Sequence, residues 1–123
     1  MKKLLLIILL TVSINVNAAW EHAFSDDGND EFIDLSSIQH GVFTKKVWIY
    51  INFDHYSRYN VGSTVAQEEF NCSNKSHKLL FYAHYSGKNQ TGEVLESGNF
   101  HEQWEPIIPF SNDNIKYNMV CGK

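Results

Sequence analysis

The residues of this 123-residue chain best suited to moving protons or holding a metal are six histidines, His22, His40, His55, His77, His84 and His101. Imidazole titrates near neutral pH and is a common metal ligand. No two of them stand in an HExxH or HxH spacing, so no single helix or strand presents a pair to one ion. A zinc site assembled from distant strands is the lesser reading; titrating surface histidine is the preferred one. Asp26-Asp27-Gly28-Asn29-Asp30-Glu31 is acidic but lacks the twelve-residue calcium-loop pattern, and reads as a solvated hairpin tip. Ser86-Gly87 and Ser97-Gly98 lack the nucleophile elbow of acyl-transfer enzymes. Glu68 and Glu69 are adjacent on a strand, point to opposite faces and cannot flank one bond. No glycine-rich phosphate loop is present. The expectation is therefore no catalytic residue, no metal ligand and no cofactor.

Cys72 and Cys121 are the only cysteines, so one pairing is available. Free thiols or a metal pair are the alternatives, but zinc usually takes four ligands at tight spacing and no CxxC occurs. A disulfide is expected. Closing a loop of about 50 residues stabilises a small fold by about 4 kcal/mol in the chain-entropy model.

These residues need a scaffold, and alternation supplies it. In the stretch 46–54, Val47, Ile49, Ile51 and Phe53 share one face, and Trp48, Tyr50, Asn52 and Asp54 the other. In the stretch 78–86, Leu79, Phe81, Ala83 and Tyr85 alternate with Leu80, Tyr82, His84 and Ser86. A weaker strand covers 64–72. Shorter ones are expected at 20–24, 31–34 and 93–100, separated by turns at 26–29 and 87–92. No gap holds a long amphipathic helix, so the pattern predicts an antiparallel meander of about six strands. Pro106-Ile107-Ile108-Pro109 must be extended. Ser111 or Asn112 could then cap a short helix running to about Val120, although its apolar periodicity is poor. Cys72 shares a strand face with Phe70, so a bond to Cys121 would pin the C-terminal segment there.

Residues 1–18 read as a secretory leader. Lys2 and Lys3 precede the apolar run Leu4–Leu10, and Val16-Asn17-Ala18 is an A-x-A-like cleavage site. The run is too short to span a membrane, which takes about 20 residues. No cysteine adjoins the junction, so neither a membrane anchor nor a lipid anchor is expected after cleavage. The domain is then 19–123, exported to the periplasm, the cell surface or the medium. The chain carries a formal net charge of −4. That balance argues against a partner such as a nucleic acid, which would need a basic face.

The ordered set of motifs resembles the bacterial surface-adhesin protein E-like family. Trp20, Phe32-Ile33-Asp34-Leu35-Ser36-Ser37-Ile38 and Val47-Trp48 match its first half. Glu69-Phe70-Asn71-Cys72, Lys78-Leu79-Leu80, Tyr85-Ser86-Gly87-Lys88, Thr91-Gly92-Glu93-Val94, Trp104-Glu105-Pro106-Ile107-Ile108-Pro109 and Asn118-Met119-Val120-Cys121 match its second. The resemblance implies an exported α+β domain whose C-terminal helix is tethered to one face of an antiparallel sheet by the disulfide. It also implies adhesion to host extracellular-matrix proteins and a capacity to dimerise. Two departures stand out. Pro109-Phe110-Ser111 replaces the family's usual Pro-Gly-Ser turn, and the membrane anchor of the adhesin has no counterpart cysteine here.

With catalysis unsupported, the aromatic surface remains. Trp48, Tyr50, Tyr82 and His84 are expected together on the face opposite Val47, Ile49, Leu79 and Phe81, as a face for a protein partner or a homodimer mate. The expected function is a non-enzymatic protein-binding domain. The alternative is a periplasmic accessory or inhibitor protein that presents the loop at 54–63 or 87–92 to an envelope enzyme.

Overall fold

The computed structural model describes residues 19–54, 60–100 and 103–122. The expected leader, His55 and His101 lie outside them.

Strands β1 (Trp20–Asp26), β2 (Asn29–His40), β3 (Thr44–Asn52), β4 (Ser63–Asn71), β5 (Ser76–Tyr85) and β6 (Val94–Asn99) pair in sequence order, each antiparallel to the next. A two-residue strand, β7 (Glu105–Pro106), adds to the start of β5. This is the expected meander. The strand predicted at 31–34 is much longer than its alternation suggested, because β2 continues through an irregular stretch after Asp34. Side chains hold that irregularity in place. Asp34 Oδ1 accepts the Ser36 backbone N–H at 3.0 Å. The Ser37 hydroxyl donates to the Asp34 carbonyl at 2.6 Å and accepts the Trp48 N–H at 3.0 Å.

Each face of the sheet carries its own apolar cluster. Ile33, Val47, Ile49, Ala66 and Phe70 pack with Ile107 and with Val120 of the C-terminal helix α1 (Asn112–Cys121). On the other face Tyr50, Val65 and Ala83 form the buried centre, surrounded by Trp20, Phe32, Trp48, Phe81 and Tyr85. No helix or strand of the described residues covers this second face.

The helix begins at Ser111, whose side chain accepts the Asn114 N–H at 3.2 Å, and ends where Gly122 adopts φ 77°. Cys72 and Cys121 form the expected disulfide, with their Cα atoms 5.5 Å apart. Around it, Lys45 Nζ donates to the Val120 carbonyl and the Tyr117 hydroxyl donates to the Cys72 carbonyl, each at 3.1 Å. In the turn before the helix, Phe110 takes φ 64° with its side chain fully exposed. Glycine adopts that left-handed conformation freely and phenylalanine does not.

Candidate functional site

The four residues expected to share a partner-binding face are divided between the two faces. Trp48 and Tyr50 lie on the open face, whereas Tyr82 packs against the helix-side cluster and His84 lines the same side. The cause is one extra residue. Glu68 pairs with Leu79 but Gln67 pairs with Phe81, which leaves Leu80 as a bulge in β5. A one-residue slip reverses every later side chain. Leu79 therefore faces the helix as expected, while Phe81, Ala83 and Tyr85 move to the open face with Trp48. On the helix side, Tyr82 donates its hydroxyl to Glu96 Oε1 at 2.7 Å, and His84 Nδ1 lies 2.7 Å from Thr64 Oγ1.

The open face has a row of directly paired residues running across the sheet: Trp20, Asp34, Trp48, Gln67 and Phe81. Paired residues point the same way, so the row forms a continuous surface. Trp20 meets Tyr50 edge to face at 4.7 Å, Tyr50 stacks on Phe32 at 4.6 Å, and Trp48 meets Phe81 at 5.8 Å with planes 72° apart. A cavity of about 510 Å³ opens here, walled by Trp20 and Asp34 on one side and by Gln90 and Val94 on the other. The loop that supplies Gln90 is fixed. Asn52 Nδ2 donates to Asn89 Oδ1 at 2.7 Å, the Asn89 N–H donates to Asn52 Oδ1 at 2.8 Å, and the Gln90 N–H donates to Ser63 Oγ at 3.0 Å.

Beneath the helix lies a cluster of charges that periodicity did not reveal. Lys116, only 4% exposed, places Nζ 2.6 Å from Glu68 Oε1, 2.9 Å from Glu31 Oε1 and 3.4 Å from Asp113 Oδ1. His77 bridges the same group, Nδ1 3.5 Å from Glu68 Oε2 and Nε2 3.6 Å from Asp113 Oδ2. Burial works against the charge on Lys116, but Glu68 and Glu31 outweigh it and raise its pKa. Burial likewise pushes Glu68 up, but the Lys116 ammonium and the His77 contact carry it below the ordinary carboxylate range. For Glu31 burial wins and its pKa rises. The hydrogen bond to Glu68 raises His77. Glu68, His77 and Asp113 bring three metal-competent atoms within 4.8 Å of one another, the nearest approach in the described residues to a zinc site built from distant strands. The ammonium of Lys116 already occupies the cationic position among these carboxylates, so the arrangement works as an internal ion-pair network.

A serine, a histidine and an aspartate also meet on the β1–β2 hairpin, without the wiring of a nucleophile. His22 Nε2 faces both Ser25 Oγ at 2.9 Å and Asp30 Oδ1 at 3.2 Å, and the Ser25 hydroxyl donates directly to Asp30. One ring nitrogen facing both partners cannot relay a proton between them. The Ser25 and His22 contacts hold the Asp30 carboxyl below its usual value.

The model of the surface-adhesin protein E family matches residues 20–122. No curated protein matches the chain. Among solved structures, the chain is similar to Haemophilus influenzae protein E, at 14% identity, a TM-score of 0.64, and coverage of 87% of this chain and 86% of that one. A second structure, of protein E from non-typeable Haemophilus influenzae, matches at 14% identity and a TM-score of 0.62 over 88% of this chain and 78% of that one. At such identities the likeness is one of fold.

Proposed function

Since the chain belongs to the surface-adhesin protein E family, we propose that it is an exported, non-enzymatic binding domain that attaches to another protein through its open aromatic face. The supporting observation is the row from Trp20 to Phe81, left uncovered by every described helix and strand while the helix shields the opposite face. Half-buried tryptophan, tyrosine and phenylalanine supply large contact area at little entropic cost. The free edge of β6, with Val94 and Leu95 exposed, can add backbone pairing to a partner strand. Host extracellular-matrix proteins are the partner class that the family resemblance implies. Cleavage after Ala18 would release residues 19–123 into the periplasm or beyond. The experiment is saturable binding to a panel of immobilised matrix proteins, repeated with Trp48→Ala, together with fractionation to locate the protein. Absence of saturable binding to every matrix protein removes the adhesive reading.

One observation favours a second reading, as a periplasmic accessory or inhibitor protein. The loop 87–92 is preshaped by the paired Asn52 and Asn89 amides, as a segment inserted into an enzyme cleft needs to be. Co-purification of an envelope enzyme from periplasm, lost in Asn89→Ala, is the result that reading requires.

A further inference from the structure

We infer that the open-face cavity is a binding site for a small organic cation of the quaternary ammonium class, held between Trp20 and Trp48 over the Asp34 carboxylate. The inference does not depend on adhesion. Asp34 pairs with Trp20 on one side and Trp48 on the other, so a carboxylate stands between two indoles on one face. It is only 6% exposed and lines the cavity. Its Oδ1 accepts from Ser36, which accounts for the β2 irregularity; Oδ2 accepts from none of the described residues, and no described Lys, Arg or His pairs with it. None of the described residues lining the cavity is basic, so no cation among them faces its negative charge. The chain as a whole is acidic, which also favours a cationic ligand.

The walls choose among cations. Trp48 and Phe81 meet at 72° and so form a corner rather than a stack, with Trp20 and Tyr85 closing other sides. Aromatic faces attract a cation through their quadrupole, most strongly when it sheds water cheaply. A primary ammonium keeps its hydration because it needs three acceptors, and the lining offers few. A trimethylammonium head has no N–H to satisfy, presents methyl groups to several rings at once and leaves its charge for Asp34. The cavity, about 510 Å³, lies within the usual range for small-ligand sites and accommodates such a head with part of its tail.

The test is a titration of residues 19–123 with choline chloride at constant ionic strength, followed by tryptophan fluorescence and calorimetry. The neutral isostere 3,3-dimethylbutanol is run beside it. Saturable choline binding, with the isostere about tenfold weaker or more, supports the site. Asp34→Asn keeps the acceptor for Ser36 and removes the charge; it should weaken choline about tenfold and leave the isostere unchanged. Trp20→Leu, outside the β2 irregularity, should weaken choline as well, and serves if Asp34→Asn fails to fold. Equal affinity for choline and its isostere, or no saturation up to about 50 mM choline, overturns the proposal. Co-sedimentation with phosphatidylcholine but not phosphatidylglycerol vesicles identifies a lipid headgroup as the source; binding of choline without binding to vesicles identifies a free solute. A negative matrix-protein assay leaves all these readouts intact.

Discussion

The two faces of this sheet use their side chains for different purposes. The helix side is closed by covalent and ionic ties: the disulfide, the Lys116 cluster and Val120 within the apolar core. The open side carries more aromatic surface, yet no second element of the described residues shields it. A protein that needed only stability would cover its tryptophans first. Here the cover lies over an apolar cluster and a group of buried charges, while the tryptophans sit on the face that no described element covers.

Perturbing each face separately sharpens this contrast. The largest effect is expected from Cys72→Ala with Cys121→Ala, a loss of about 4 kcal/mol in denaturant unfolding. Lys116→Met comes next. It strands Glu68 and Glu31 in the interior and should cost about 3 kcal/mol; adding Glu31→Gln and Glu68→Gln should recover much of that, as unfolding midpoints would show. On the open face, Trp48→Ala removes a half-buried ring and should cost about 2 kcal/mol, while abolishing partner binding. Equal losses of stability from Trp48→Ala and Lys116→Met would break the distinction between the faces.

A smaller effect concerns pH. The pKa of His77 is raised in the folded protein, so its protonated form stabilises the fold. That contribution is complete below the unfolded value of about 6.5 and disappears as pH rises through the folded value. His77→Gln should therefore be less stable than the parent in mildly acidic buffer and converge with it at alkaline pH. Glu68 acts in the opposite sense. Its lowered pKa adds stability above the unfolded carboxylate value, and that stability is lost as pH falls through the folded one. The smallest change is Phe110→Gly, which releases a left-handed phenylalanine from a fully exposed turn and should raise stability by about 1 kcal/mol.

Much of the architecture could be read from residue order. Strand alternation anticipates the meander, and a lone pair of cysteines anticipates the disulfide, because both signals are local or have one solution. The helix was harder to read, and Lys116 explains why. A lysine in the middle of a short helix suggests a solvated stripe, yet here it is the residue most deeply turned inward with Val120. Only partners 48 and 85 positions away, Glu68 and Glu31, make that burial tolerable. The composition of the open aromatic face is half legible. Trp48 and Tyr50 followed from a regular strand, whereas Tyr82 and His84 were misassigned because the bulge at Leu80 has no glycine or proline to announce it. Asp34 falls within a family motif; its place between two tryptophans depends on strand register, which the residues of one strand cannot reveal.

The covalent link between Cys72 and Cys121 also has a consequence in time. A polypeptide emerging from its N-terminus exposes Cys72 long before its mate, and 49 positions must follow before the second sulfur appears. By then the segments of all six main strands have been delivered, and neighbouring strands can zip together as they arrive. The second sulfur therefore closes the chain's last helix onto a sheet whose six main strands all precede it in sequence, and no strand segment has to thread through the closed loop afterwards.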